Sequence, residues 1–150
     1  MQKITTFLWF DNQAEEATNF YVSVFKNAKV LNVSRGPNDT VFTTSFTLEG
    51  QEFIALNGGP LYQFTPAISL FVSCESQAEV DELWNALSAD PSAEQCGWLK
   101  DKFGLSWQIV PTRLGELLGN PDPEKSQKAM QAMLKMGKLD IAALEAAVAD

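Results

Sequence analysis

The stretch FLWFDNQAEEATNFY at residues 7–21 has a counterpart, FVSCESQAEVDELWN, at residues 71–85. Each runs from an apolar, aromatic-rich segment into a helix-forming one. Each carries the same triplet at the join, Gln13-Ala14-Glu15 and Gln77-Ala78-Glu79. Two readings compete: a matched pair of catalytic glutamates, or two copies of one folding unit. Asn12-x-x-Glu15 and Ser76-x-x-Glu79 have the spacing of a capping box. In that arrangement the cap side chain accepts from the N3 amide, the N3 carboxylate reaches back, and its charge suits the helix dipole. Carboxylates at the starts of two separate helices have no reason to converge in one cleft. The pattern therefore predicts two capped helix starts and a duplicated unit.

Working outward, ITTFLWF at 4–10 reads as a buried strand. Ala17, Phe20, Tyr21 and Val24 then follow the i, i+3, i+4, i+7 spacing of an amphipathic helix. Strands follow at 30–35, 41–48 and 52–57, separated by the turn residues GPND and EGQ. After the Gly/Pro-punctuated segment 57–66 the order restarts. AISLFVSC at 67–74 is a strand, and Val80, Leu83, Trp84 and Leu87 form a second helical face. GWLKD and LSWQIVP close as a hairpin around Lys102-Phe103-Gly104, while no strand is evident between residues 90 and 95. The first strands align at an offset of 64 (Ile4 with Ile68, Phe7 with Phe71). The helical faces align at 63 (Ala17 with Val80, Tyr21 with Trp84), which predicts a one-residue slip after the helix start. The expected class is α+β: two βαβββ modules forming curled mixed sheets, at about 1–60 and 65–111, plus two C-terminal helices within a tail at about 112–150. Asp122-Pro123 opens the first tail helix and Asp140 caps the second. Their small and Met-rich faces are expected to cover this domain or a partner subunit.

Composition removes whole classes of chemistry. The chain has no histidine, hence no Ser-His or Cys-His nucleophile system and none of the commonest metal ligand. A net charge of −8, with thin basic pairs at Lys100/Lys102 and Lys135/Lys138, argues against a nucleic-acid partner. Apolar runs are too short to span a bilayer, and the start of the chain lacks a signal-peptide core. A cytoplasmic protein with reduced, packing-related Cys74 and Cys96 is expected. Asn57-Gly58-Gly59-Pro60 fits no phosphate-binding pattern and reads as a turn. The strand aromatics, Trp9, Phe71, Trp98 and Trp107 among them, divide between core and a small-molecule pocket. Asp101 and Lys102 are the remaining charged candidates, read as a solvated hairpin turn.

FIALNGGP (53–60), FTPAISLFVSCE (64–75), CGWLKDKFGLSWQIVP (96–111) and AMLKMGKLDIAALEAA (132–147) resemble the PhnB-like group of the glyoxalase, or vicinal oxygen chelate, superfamily. That group is also labelled 3-demethylubiquinone-9 3-methyltransferase-like. The resemblance implies two half-barrel modules enclosing a cavity, with metal ligands on the first and last strands of metal-dependent members. Those positions fall here near Thr5, Ser69, Ile54 and Gln108. Thr, Ser, Ile and Gln make a poor divalent site, so no catalytic metal and no cofactor are expected. The implied ligand-binding residues are Thr5, Trp9, Ser69, Phe71, Ser106 and Gln108, with Trp107 and Ile109 turned beneath the helices. The implied partner is a small organic molecule, in a homodimer that exchanges or pairs sheet edges, with the reaction unassigned. The group's label suggests instead S-adenosylmethionine-dependent methylation of a quinol, although no Rossmann-type glycine turn is present. A drug-sequestering or resistance protein is the third possibility.

Overall fold

The computed structural model describes residues 2–149. It divides into two compact units, one ending at Phe64 and the other beginning at Thr65. The α+β class with two small mixed sheets is as the sequence predicts. Among the described residues, no helix is long and apolar enough to cross a membrane.

In the first unit, strand β1 (Thr6–Phe10) leads to helix α1 (Ala14–Val24), and β2 (Ala28–Arg35), β3 (Val41–Leu48) and β4 (Gln51–Asn57) follow. The sheet order is β1-β4-β3-β2, with β1 parallel to β4 and the other pairs antiparallel. Glu49 and Gly50 both adopt positive φ, 49° and 85°, as the centre of a tight β3–β4 hairpin of the primed type requires. Alternation along the strands sends Leu8, Phe10, Phe46, Phe53 and Ala55 to one face, where they are buried. Helix α1 lays Ala14, Ala17, Thr18 and Tyr21 on that face. Phe20 and Val24, expected at its centre, are only half-buried. The Thr18 and Thr44 hydroxyls, both buried, satisfy each other at 2.6 Å.

The second unit holds β5 (Ser69–Cys74), α2 (Gln77–Leu87), β6 (Trp98–Lys100) and β7 (Ser106–Pro111) in a sheet of order β5-β7-β6. Where the first unit has a fourth strand, the second has a turn at Pro91–Ala93 that Asp90 caps by accepting from Ser92 N–H. Val80, Leu83, Trp84 and Leu87 are all buried, as their spacing predicts. Trp107 and Ile109 are buried as well, on the face turned to α2.

The duplication is visible in register. Phe7 pairs with Ile54 across β1–β4, and Phe71 with Gln108 across β5–β7, so β1 and β5 correspond at an offset of 64 and β4 and β7 at 54. Ala17, Val80, Tyr21 and Trp84 are all buried, so the helices correspond at 63. The slip lies in the turn before the helix, three residues long at 11–13 and two at 75–76, rather than after the helix start.

Among the described residues the tail has three helices, α3 (Thr112–Leu118), α4 (Pro123–Leu134) and α5 (Ile141–Val148). The first is additional to the expected pair. Asp122 accepts from Glu124 N–H and Asp140 from Ala143 N–H, so both expected caps form. Leu114, Leu117, Ala129, Leu139 and Leu144 gather with Val110 of β7 into one core, partly covered by Met133 and Met136. The Met-bearing faces thus cover this chain's own second unit. Backbone bonds lock the tail down: Cys96 N–H donates to Met136 O at 2.7 Å, and Gly97 N–H to Gly137 O at 2.8 Å.

Gly97, at φ 89°, is where this contact is tightest. A Cβ there would lie 2.8 Å from Leu139 Cδ1 and 3.2 Å from Ile109 O. Gly97→Ala combines a left-handed backbone with overpacking and is expected to destabilise the protein by about 2–4 kcal/mol. Urea denaturation followed by tryptophan fluorescence measures this, and an unchanged midpoint would refute the packing described.

Candidate functional site

The two Gln-Ala-Glu triplets are not a catalytic pair, and only one makes the expected cap. Ser76 Oγ accepts from Glu79 N–H at 3.2 Å, and Glu79 Oε1 accepts from Glu75 N–H at 2.8 Å. In the first copy neither Asn12 nor Gln13 caps the helix, and Glu15 pairs with Arg35 at 3.0 Å. The cap comes from 43 residues away: Asn57 Oδ1 accepts from Ala14 N–H at 2.8 Å, while its Nδ2 donates to Val41 O. Gln77 has a different task. Its Nε2 donates to Leu139 O and its Oε1 accepts from Ile141 N–H, tying α2 to the start of α5. Beside it, hydrogen bonds from Lys138 and then Gln77 hold the Asp81 carboxyl below its usual pKa.

The Asn57-Gly58-Gly59-Pro60 loop is structural. The Gly58 and Gly59 amides donate to Phe10 O and Asp11 O, so they serve the loop's own backbone. Trp9 lies against the loop. Its indole N–H donates to Gly59 O at 2.9 Å, and a Cβ on Gly58 would meet its ring at 2.5 Å. Tyr62 contacts the same ring edge-on at 4.9 Å. Trp9 therefore sits on the face of the first unit's sheet away from α1 and is fastened locally, while Thr5 lies just before β1.

In the second unit, Ser69, Phe71 and Gln108 come together on the sheet face away from α2. Ser69 lies opposite Ser106 in register, Phe71 opposite Gln108, and Gln108 Nε2 donates to Ser69 Oγ at 3.0 Å. Ser106 shares the parity but is buried, 2% exposed, and supports the strand rather than facing solvent. This face opens on a cleft of about 450 Å³. On the sheet side Phe71, Trp98, Gln108 and Val110 line it. On the tail side stand Leu114, Gly115 and Leu118 of α3, with Met133 of α4. Among the described residues, no charged side chain lines the cleft. Arg113 on α3 is engaged by Glu145 at 3.0 Å. The sequence pointed to Phe71 and Gln108; it missed the α3 wall, for which the Met-rich tail was the only hint.

Asp101 is not a solvated turn residue. It is 3% exposed, with Oδ1 accepting from Phe103 and Leu105 N–H and Oδ2 from the indole N–H of Trp107 at 2.9 Å. It shapes the hairpin and satisfies a buried tryptophan. Lys102 is exposed beside the Phe103 ring.

The positions at which metal-dependent relatives of this fold would bind a metal carry unsuitable donors. Ile54 cannot coordinate, and Ser69 and Gln108 are hydrogen-bonded to each other. Among the described residues, no group of three or more His, Cys, Asp or Glu side chains is placed to hold a metal ion.

Burial pushes the Cys74 thiol up to about 12, with the Glu79 and Glu75 carboxylates adding to the shift. An unfolded thiol ionises near 9 while the folded one does not. Its contribution to stability is therefore complete below pH 9 and lost as pH rises towards 12. Cys74→Ala is expected to flatten the fall in stability across that window, which denaturant titration at pH 8, 9.5 and 11 measures. A parallel fall in both proteins would contradict it.

Residues 2–110 match the family model described as 3-demethylubiquinone-9 3-methyltransferase. The three helices of the tail lie beyond the matched residues. A PhnB protein from Bacillus cereus is 39% identical, with 73% of this chain and 99% of that one covered and a TM-score of 0.65. A glyoxylase/bleomycin resistance protein/dioxygenase domain from Frankia is 18% identical over 74% of this chain and 92% of that one, TM-score 0.50. A fosfomycin resistance protein from Listeria monocytogenes is 15% identical over 84% and 98%, TM-score 0.53. The last two show likeness of fold alone. No curated protein matches the sequence.

Proposed function

The chain belongs to the 3-demethylubiquinone-9 3-methyltransferase family, the PhnB-like group with a glyoxalase-like fold, and from that premise we propose that it is a small-molecule-binding protein. Its ligand occupies the cleft between the β5-β7-β6 sheet and helices α3 and α4. The observation that carries this reading is the cleft itself. It is largely apolar, within the size range of small-molecule sites, and has one amide at its floor. Phe71 leaves 59% of its surface exposed there, which a bound molecule would cover. Gln108 donates its Nε2 to Ser69, which leaves its carbonyl oxygen to orient a ligand. Ser69 and Ser106 are positioning residues for that amide. In this reading Thr5 and Trp9 are the matching positions of the first sheet. The two modules and the tail act as one glyoxalase-like domain of a cytoplasmic protein, and the reaction is left unassigned.

The family description favours a second reading, methylation of a quinol from S-adenosylmethionine. That cofactor carries a sulfonium and a charged amino-acid end, and the cleft lining offers neither a counter-charge nor a glycine-rich turn. One thermal-shift screen containing uncharged ring compounds, drug-like hydrophobes and S-adenosylmethionine separates the readings. A ligand that binds only the folded state raises its apparent stability. Uncharged ring compounds are expected to raise the Tm of the native protein, and Gln108→Leu and Phe71→Ala to abolish the shift. Saturable stabilisation by S-adenosylmethionine alone would reverse the ranking.

We also propose a homodimer, in which the edges at β1 and β5 are covered by a second copy. Light scattering is expected to return twice the chain mass of 16.5 kDa. A mass equal to one chain would refute it.

A further inference from the structure

Gly115 is a costly residue in its place. It lies in the interior of α3, where glycine is less stable than alanine because it loses more backbone freedom. Its φ is not in the left-handed region, so the backbone does not require glycine. Nor does packing: a Cβ built at Gly115 meets no atom within 4 Å. The contrast with Gly97 and Gly58, where a Cβ would collide with Leu139 and Trp9, is direct. Gly115 is also one of the residues that line the cleft.

The chemistry of the walls narrows what fills that space. Phe71 and Trp98 contribute aromatic rings, Met133 a polarisable thioether, and Val110, Leu114 and Leu118 aliphatic side chains. Among the described residues no charged group lines the cleft, and the chain as a whole carries −8, so an anion would be repelled and a cation left without a partner. We infer that the cleft takes an uncharged, ring-bearing molecule, and that Gly115 sets the size of that molecule by leaving the α3 wall bare. The inference rests on the small-molecule reading above and adds to it a ligand class and a size-determining position.

A matched pair of fluorescent probes tests both parts on the full chain. N-phenyl-1-naphthylamine is uncharged, and 1-anilinonaphthalene-8-sulfonate is the same skeleton with an anionic group. Titration, read by probe emission and by quenching of tryptophan fluorescence, is expected to show the uncharged probe at least ten-fold tighter. Gly115→Leu should weaken it by ten-fold or more. Gly115→Ala, which adds one methyl group, should weaken it less than Gly115→Leu does, and should melt about 2–4 °C higher, as a helix-interior Gly→Ala change in open space predicts.

Equal binding of the two probes would overturn the ligand class. Equal binding of the uncharged probe to native protein and Gly115→Leu would overturn the role of Gly115 while leaving the small-molecule reading intact. A Gly115→Leu protein that cannot fold would contradict the open space and overturn that role too. If the uncharged probe fails to bind while other compounds stabilise the cleft in a Gln108-dependent way, the ring-bearing class falls alone. If nothing binds, both fall.

Discussion

The missing side chain of Gly97 is the constraint on which the second unit depends. Only because it is bare can the 136–139 segment lie against the β6 edge, with two backbone bonds in parallel and Leu139 seated over the glycine. Leu139 is wholly buried, and its carbonyl accepts from Gln77. That anchor fixes α4 on one side and α5 on the other, and α3 is held between them and β7 by Leu114 and Leu117. Without it, the sheet face bearing Phe71 and Gln108 would be an open surface. With it, the face becomes the floor of a cleft.

The two copies of the folding unit keep what is expensive to change. Strand register across the parallel pair is shared, since a slip of one residue would exchange buried and open faces along the whole strand. The helix start is cheap to rebuild, because a cap needs only one acceptor near one amide. The first copy draws it from Asn57 at the end of β4, and the second uses Ser76. The one-residue difference in the preceding turns accompanies this divergence. The glutamine of the second triplet, released from any capping role, has become the tie to the tail.

Local chemistry is what could be read from sequence. The helical face of α2, the caps at Asp122 and Asp140, and the missing strand near residues 90–95 each follow from residues within a turn or two of one another. The readings that failed depended on partners distant in the chain. Asn12 was displaced as a cap by Asn57, and Asp101 looked solvated because the tryptophan it serves reaches it only once the hairpin closes. Helix α3 was hidden because it follows Pro111 directly, has no side-chain cap, and carries a glycine in its interior. Phe71 and Gln108 came from the family resemblance as members of one ligand-binding set, and the strand register pairs them. The wall opposite them was not legible, because it is made by tertiary docking of the tail.

That division has a consequence for specificity. Of the positions the family resemblance assigns to metal ligands, Ile54 cannot coordinate, and Ser69 and Gln108 satisfy each other. A sheet face without a fixed charge supplies little discrimination of its own, since apolar contact is non-directional. Discrimination must then come from shape, and the shape of this cleft is set where α3 and α4 stand against the sheet. Those helices lie outside the residues matched by the family model. In the proposed small-molecule reading, the shared part of the chain provides the floor and one oriented amide, and the tail, placed by Gly97, decides what fits above them.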